Sequence, residues 1–109
     1  MWYQGESNAH NIELHERLFP MLQKSWRNFF HNAELPFYFV QLSSLNRPSW
    51  PRFRDSQRRM ASRLRNTWMA VTTDVGDSLD VHYRNKKPVG ERLGLQALCH
   101  SYDYKIESE

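Results

Sequence analysis

The chain has 109 residues, of which 39% are hydrophobic and 14% aromatic, and its formal net charge is +3. This composition is typical of one small globular domain and excludes a disordered chain. Because the sequence contains a single cysteine, Cys99, and no long apolar run, we expect no internal disulfide, no cysteine-based zinc site and no membrane span.

The beginning of the chain predicts the end of a strand followed by a helix. Residues 1–4 lead into a turn at Gly5, and apolar residues then recur at helical spacing to about Asn32. Pro20 lies inside this predicted helical segment, so we expect a kink or the start of a new helix near it. We expect the chain to cover only in part the helix face formed by Leu14, Leu18, Leu22, Trp26, Phe29 and Phe30.

Two further strands alternate with two helices. The nearly continuous apolar run from Leu35 to Val40 is typical of a strand buried on both faces of a parallel sheet. A second short strand is predicted at Met69–Thr73, and a last helix from Pro88 to about His100. Between the two strands, apolar residues recur at helical spacing at Phe53, Met60, Ala61 and Leu64.

The alternation of strands and helices predicts an α/β fold with a parallel sheet. Two complete strands are too few for such a sheet, which needs helices on both faces and usually four or more strands. We therefore expect residues 1–109 to be the C-terminal portion of a single domain, with about three strand–helix units, whose N-terminal part is absent.

Two polar loops follow predicted strands, at the sheet edge where α/β proteins bind their ligands. They are Gln4–Asn8 and residues 74–86. In the second loop, His82 could act as a general base oriented by a carboxylate, or it could be an ordinary surface histidine. The D-x-x-D-x-x-D spacing of its acids differs from that of a calcium loop, so we expect no metal site. These acids are Asp74, Asp77 and Asp80.

The first loop offers an acid and a hydrogen-bond donor. Glu6 could be the acid partner of a histidine, and the amide of Gln4 could donate to an oxyanion. Ser7 does not lie in a G-x-S-x-G motif and is explained more simply as part of a turn or a helix cap. The remaining histidines lack metal-ligand spacing, and we expect surface or partly buried positions for His10, His15, His31 and His100.

The positive charge is concentrated between Arg47 and Arg65, where the sequence has seven arginines and a single acid, Asp55. The ordinary interpretation is a solvated helix face. The alternative is a module that binds phosphate or nucleic acid, with Trp50 and Trp68 as stacking groups. No known nucleic-acid-binding motif is present, so we expect no nucleic-acid partner.

Four stretches of the sequence carry a resemblance to a known family: "WYQGESNA", "LPFYFVQLSSL", "WPRFRDSQ" and "MAVTTDVGDSLDVHYRNKKPVGERLGLQAL". In this order, over nearly the whole chain, they resemble the sialate O-acetylesterase family of SGNH-type hydrolases. The resemblance implies a flavodoxin-like three-layer α/β/α fold. It also implies hydrolysis of acetyl esters on carbohydrates, often at O-9 of sialic acid, by a serine nucleophile without a metal or other cofactor.

The family's site residues transfer by position. His82 matches the catalytic histidine, and Gln4, Gly5 and Glu6 match the turn that approaches the oxyanion. Asn85 matches the loop that leads into the last helix and is assigned to substrate binding.

Two departures from the family pattern matter. No residue here matches the family's Gly-Gln-Ser-Asn nucleophile motif, which lies upstream of QGES, so the chain would carry half of an active site. Leu79 stands where many SGNH enzymes have an aspartate, and Asp80 is the nearest acid before His82. Asp80 and Glu6 therefore both stay candidates for the acid partner.

The expected partner is an O-acetylated carbohydrate, and the sequence leaves the oligomeric state open. An inactive pseudoenzyme fragment is a further alternative. The resemblance is compatible with a secreted, periplasmic or lysosomal protein, and the sequence leaves the compartment open as well.

Overall fold

A computed structural model describes residues 1–43, 45, 47–72, 74 and 85–102. Its elements are a short 3₁₀ helix at Glu6–Asn8, α1 at Ile12–Phe29, β1 at Phe37–Val40, α2 at Trp50–Arg63, β2 at Thr67–Ala70 and α3 at Lys87–His100. The predicted order of strands and helices is confirmed. The predicted strand at Met69–Thr73 begins earlier than expected and ends at Ala70. No helix in the described ranges is long and apolar enough to cross a membrane.

The sheet is parallel, and β1 is flanked on both sides. On one side Trp2 forms a parallel bridge with Phe39, in which the Trp2 N–H donates to the Tyr38 carbonyl and the Val40 N–H to the Trp2 carbonyl. On the other side β1 pairs with β2, from Phe37 opposite Thr67 to Val40 opposite Ala70. The bridge at Trp2 is what the structure shows of the predicted strand at residues 1–4, which we call the first strand. This strand, β1 and β2 run parallel and therefore end at the same edge of the sheet.

Helices cover both faces of this sheet. On one face, Phe37 and Phe39 pack against Phe19 of α1 and Met60 of α2. On the other face, Val40 packs against Val89 of α3, because successive side chains of a strand point to opposite faces. The expected α/β architecture, with a helical layer on each side of a parallel sheet, is confirmed.

The face of helix α1 that packs against the core contains both polar and apolar side chains. The expectation of a partly covered apolar face is confirmed, since Leu18 is 43% exposed and Phe29 76%. The face that α1 buries is the neighbouring one, formed by His15, Phe19 and Gln23. Gln23 is tolerated in the core because its amide donates to the Thr67 hydroxyl at 2.9 Å.

Pro20 lies within α1, which continues as one helix from Ile12 to Phe29. Of the two alternatives expected at Pro20, the start of a new helix is therefore wrong, and the kink stays a prediction. Proline has no N–H, so one bond of the helix ladder, to the carbonyl of Glu16, is missing at this point. The aromatic contact of Phe19 with Phe39, at 5.0 Å between ring centroids, helps to hold this turn of the helix on the sheet.

Candidate active site

The turn after the first strand depends on the glycine at its centre. Gly5 has a φ of 148°, a conformation that side chains with a Cβ rarely adopt. A Cβ at this position would lie 3.1 Å from two ring carbons of Phe53, which is fully buried. A side chain at position 5 would therefore point into the protein interior. The residues on either side are left to project from the edge of the sheet.

Glu6 stabilises this turn directly. Its carboxylate accepts a hydrogen bond from the Gly5 N–H at 3.2 Å, and the Gly5 carbonyl accepts one from the Asn8 N–H at 2.9 Å. The structure thus gives Glu6 a role in shaping the turn. Its predicted role as the acid partner of His82 stays a prediction, because His82 lies outside the described residues.

Gln4 is exposed beside a groove between the first strand and α1. The groove has a volume of about 420 Å³ and is lined by Trp2, Gln4, Asn8, His15, Leu18, Phe19, Met21, Leu22 and Ser25. An exposed amide at a strand end can donate to a developing oxyanion. Gln4 therefore has the accessibility that the predicted role requires, and the role itself stays a prediction.

His15 is buried beneath the turn, which the sequence analysis did not predict. It is 5% exposed and packs against Phe53 and Phe19, with ring centroids at 4.6 and 5.7 Å. Among the described residues its Nδ1 has no hydrogen-bond partner. Burial lowers the pKa of the imidazole, an effect that the charge of Glu16 offsets in part. The expected surface or partly buried position is therefore wrong for His15. Its spacing of four residues from Phe19 was the available signal.

A polar network occupies the carboxyl end of β1. The Thr72 hydroxyl donates to the Gln41 carbonyl at 2.6 Å, and the Gln41 N–H donates to the Ala70 carbonyl at 3.0 Å. The side chain of Gln41 lies against Arg54: the Nη2 of Arg54 donates to the Oε1 of Gln41 at 3.4 Å. Sequence reasoning missed these residues. The sequence feature that could have indicated them is a glutamine directly after a buried strand, at the sheet edge where α/β proteins bind their ligands.

The second loop is anchored at its first residue. Asp74 forms a two-pronged ion pair with Arg92 of α3, at 2.6 and 2.7 Å, and Arg92 also donates to the Val71 carbonyl. The hydrogen bond from Arg92 is the main reason why the pKa of Asp74 is lowered. Of the three acids near His82 in sequence, Asp74 thus has a structural partner.

The end of the second loop is also described. Asn85 is exposed, and the ammonium group of Lys86 lies 5.1 Å from the ring centroid of Tyr3 on the first strand. The central part of the loop, including Asp77, Asp80 and His82, lies outside the described residues. The contact of Lys86 with Tyr3 brings the end of this loop to the first strand, as expected for loops that share one edge.

Several arginines of the arginine-rich segment form ion pairs with acidic residues of the protein itself. Asp55 pairs with Arg58 at 2.8 Å and with Arg59 at 3.2 Å, and Glu34 pairs with Arg65 at 2.6 Å. The two tryptophans suggested for base stacking are also engaged. Trp50 is 3% exposed and donates to the Ser43 carbonyl, and Trp68 stacks on Tyr38 and His100. This arrangement does not favour the nucleic-acid alternative.

Three comparisons place these features among known proteins. A family model described as "Carbohydrate esterase, sialic acid-specific acetylesterase" matches residues 1–99. The sialate O-acetylesterases of Mus musculus and Rattus norvegicus are 36% and 35% identical to the chain and cover 96% of it. The alignments cover 24% and 23% of those two relatives, so the chain spans about a quarter of their length.

A solved structure is similar as well. The crystal structure of a carbohydrate acetylesterase from Xanthomonas citri superposes with a TM-score of 0.86 at 32% identity. The match covers 96% of this chain and 26% of that one. The parallel strands and the helices on both faces therefore have counterparts in a much longer chain.

Proposed function

Because the chain belongs to the family of sialic acid-specific acetylesterases among the carbohydrate esterases, we propose that the protein hydrolyses acetyl esters on sugar hydroxyls, with sialic acid as the preferred sugar. The observation that carries the proposal is the family match over residues 1–99, a range that includes the Gly5 turn and the sequence of the second loop, residues 74–86. The relatives are named sialate O-acetylesterase and carbohydrate acetylesterase, and these names support both the acetyl ester and the sugar as parts of the proposed substrate.

The proposed mechanism is acyl transfer through an acyl-serine. His82 takes the proton of the serine and later activates water, and Gln4 donates to the oxyanion. Asn85 contributes to substrate binding. No residue of the chain matches the nucleophile motif, so the proposal takes the serine from outside the 109 residues. Glu6 or Asp80 orients the histidine.

The decisive experiment measures acetate release from O-acetylated sialic acid by the protein in its full natural length. We expect His82→Ala to lower kcat by about 10³-fold or more while the protein stays folded, because the loss of a general base removes transition-state stabilisation. Ser7→Ala is the matched control and should keep near-normal kcat. A His82→Ala variant with normal kcat would exclude this histidine from the mechanism.

The 109-residue chain alone should not hydrolyse p-nitrophenyl acetate, because it lacks a nucleophile motif. Turnover by this chain that Ser7→Ala abolishes would make Ser7 the nucleophile and overturn the assignment. A folded full-length protein without any acetate release would instead support the pseudoenzyme alternative.

A further inference from the structure

Helix α1 exposes an apolar stripe along its length. Its members, which we call the α1 stripe, are Leu14, Leu18, Met21, Trp26 and Phe29. With 3.6 residues per turn, these positions fall within less than half of the helix circumference, and the stripe is about 22 Å long. Met21, at its centre, is 63% exposed. A continuous apolar surface of this length is typical of a surface that another segment covers.

On one side, the α1 stripe borders the groove between α1 and the first strand. Leu18 and Met21 belong to the stripe and also line this groove of about 420 Å³, together with Trp2 of the first strand. A second cavity of about 310 Å³ continues the groove towards the end of α1, because Ser25 lines both. His15 lines the groove too, and its buried Nδ1 lacks a hydrogen-bond partner in the part of the chain that the structure describes. A segment in the groove can supply that partner.

The other border of the α1 stripe is basic. Arg17 and Lys24 lie two turns apart on this border, and both are exposed. Within the described ranges neither side chain forms an ion pair, whereas Arg58, Arg59 and Arg65 all do. Charges beside an apolar stripe determine which helix can pair with it. The surface therefore fits a helix with apolar residues along one side and acidic residues at the border of that side.

The position of the groove indicates where such a helix comes from. The first strand is the outermost strand that the structure describes on its side of the sheet, and the groove lies beside it. A further strand–helix unit added at this side would place its helix against α1. The chain spans about a quarter of the length of the sialate O-acetylesterases it matches, so relatives of this kind have ample polypeptide for such a unit.

A second copy of the chain fits this surface less well. If two α1 helices packed antiparallel through their stripes, the basic border of one would lie against the basic border of the other. Like charges at such a contact are destabilising. The net charge of +3 on each chain adds to this repulsion.

We propose that, in the full-length protein, an amphipathic helix from outside residues 1–109 covers the α1 stripe and the groove, with acidic side chains paired to Arg17 and Lys24. This helix extends the layer that α1 and α2 form on one face of the sheet. The proposal concerns an interaction surface and is independent of the esterase function.

The first test is zero-length cross-linking of the full-length protein with a carbodiimide, which joins an amine to a carboxylate in contact with it. We expect Lys24 to be linked to an aspartate or glutamate outside residues 1–109, within one chain. Lys87 is the matched control, because its ammonium group lies 3.8 Å from the Glu91 carboxylate and should be linked to it in the same sample. Mass spectrometry of a mixture of isotope-labelled and unlabelled protein shows whether each link joins one chain or two.

Two results of this experiment would overturn the proposal. A Lys24 link between two chains would make a second copy the occupant of the surface. A Lys87 link without any link from Lys24 would show that no carboxylate lies at the basic border.

The second test compares melting temperatures of variants of the full-length protein. Met21→Asp should lower the melting temperature by at least about 5 °C, because the covering helix would bury an unpaired charge. Ser62→Asp, at an exposed position of α2, is the matched control and should change it by no more than about 2 °C. Equal melting temperatures for wild type and Met21→Asp would overturn the proposal, because the stripe would then face water. If Met21→Asp prevents folding, the cross-linking of the wild type decides by itself.

Discussion

Gly5→Ala tests whether the first loop, Gln4–Asn8, depends on the packing of Gly5 against the protein interior. The new methyl group would meet two ring carbons of Phe53 at 3.1 Å, and Phe53 is fully buried and cannot move aside easily. Holding a residue with a Cβ at a φ of 148° costs about 1–3 kcal/mol. Overpacking of a filled core adds about 1–3 kcal/mol. We therefore expect a loss of about 2–6 kcal/mol of unfolding free energy, a large share of the stability of a small domain.

The measurement is urea unfolding followed by tryptophan fluorescence, with the midpoint compared at constant slope. Gly90→Ala is the matched control, because Gly90 lies in α3 and has no atom within 4 Å of an added Cβ. Alanine in a helix should raise stability there, by up to about 1 kcal/mol. A Gly5→Ala protein that unfolds at the wild-type urea concentration would refute the reasoning.

A double-mutant cycle with Phe53→Leu separates the two contributions. Leucine lacks the ring edge that the added methyl group meets, so the overpacking contribution should be smaller in the Phe53→Leu background. The contribution from the backbone conformation of Gly5 should persist. If the cost of Gly5→Ala is the same in both backgrounds, the ring contact does not matter.

Three further predictions concern the buried histidine, the acid partner and the exposed face of α1. Burial lowers the pKa of His15 below its ordinary value of 6.5, so the unfolded chain binds this proton more readily. The stability that His15 contributes should be fully present above pH 6.5 and be lost as the pH falls from there towards the lowered pKa. The stability difference between wild type and His15→Phe, measured by urea unfolding at pH 7.5 and 5.5, should therefore change with pH, and a constant difference would contradict the burial argument. In the full-length protein, if it has the proposed activity, Glu6→Gln should lower kcat at unchanged KM and melting temperature if Glu6 orients His82. Asp80→Asn should have that effect if Asp80 orients it. Near-normal kcat in both variants would leave a backbone carbonyl as the partner. The 109-residue chain should be marginally stable or self-associate, because apolar residues of α1 such as Phe29 are exposed, and sedimentation at several concentrations would show it. A monomer with a sharp, concentration-independent melt would exclude this.

The element order could be predicted because apolar runs and helical spacing are local properties. The run that contains β1 is apolar on both faces, and the structure buries every residue of Phe37–Val40. The buried face of α1 was harder to predict, since it includes His15 and Gln23. Their burial depends on partners distant in the chain, such as Thr67 for Gln23. No local pattern reports such contacts.

The candidate site was predictable to a different degree at each loop. The turn at Gly5 followed from its position after a strand, and the resemblance added the roles of its neighbours. The structural role of Glu6 and the pairing of Asp74 with Arg92 did not follow, because each requires the distance between two side chains. Arg54 illustrates the same limit. In the sequence it is one of seven similar arginines between Arg47 and Arg65, and its contact with Gln41 also requires the distance between two side chains.

The parallel pairing of the sheet also determines how the chain can fold. Each ladder contact joins residues on either side of a complete helix, with Trp2 and Phe39 separated by α1 and Phe37 and Thr67 separated by α2. Such contacts lose loop-closure entropy before any hydrogen bond of the ladder forms, which slows folding. On the ribosome, β1 cannot pair with β2 until all of α2 has been synthesised. The edge that carries the Gly5 turn is therefore assembled late, after the helices have formed from local contacts.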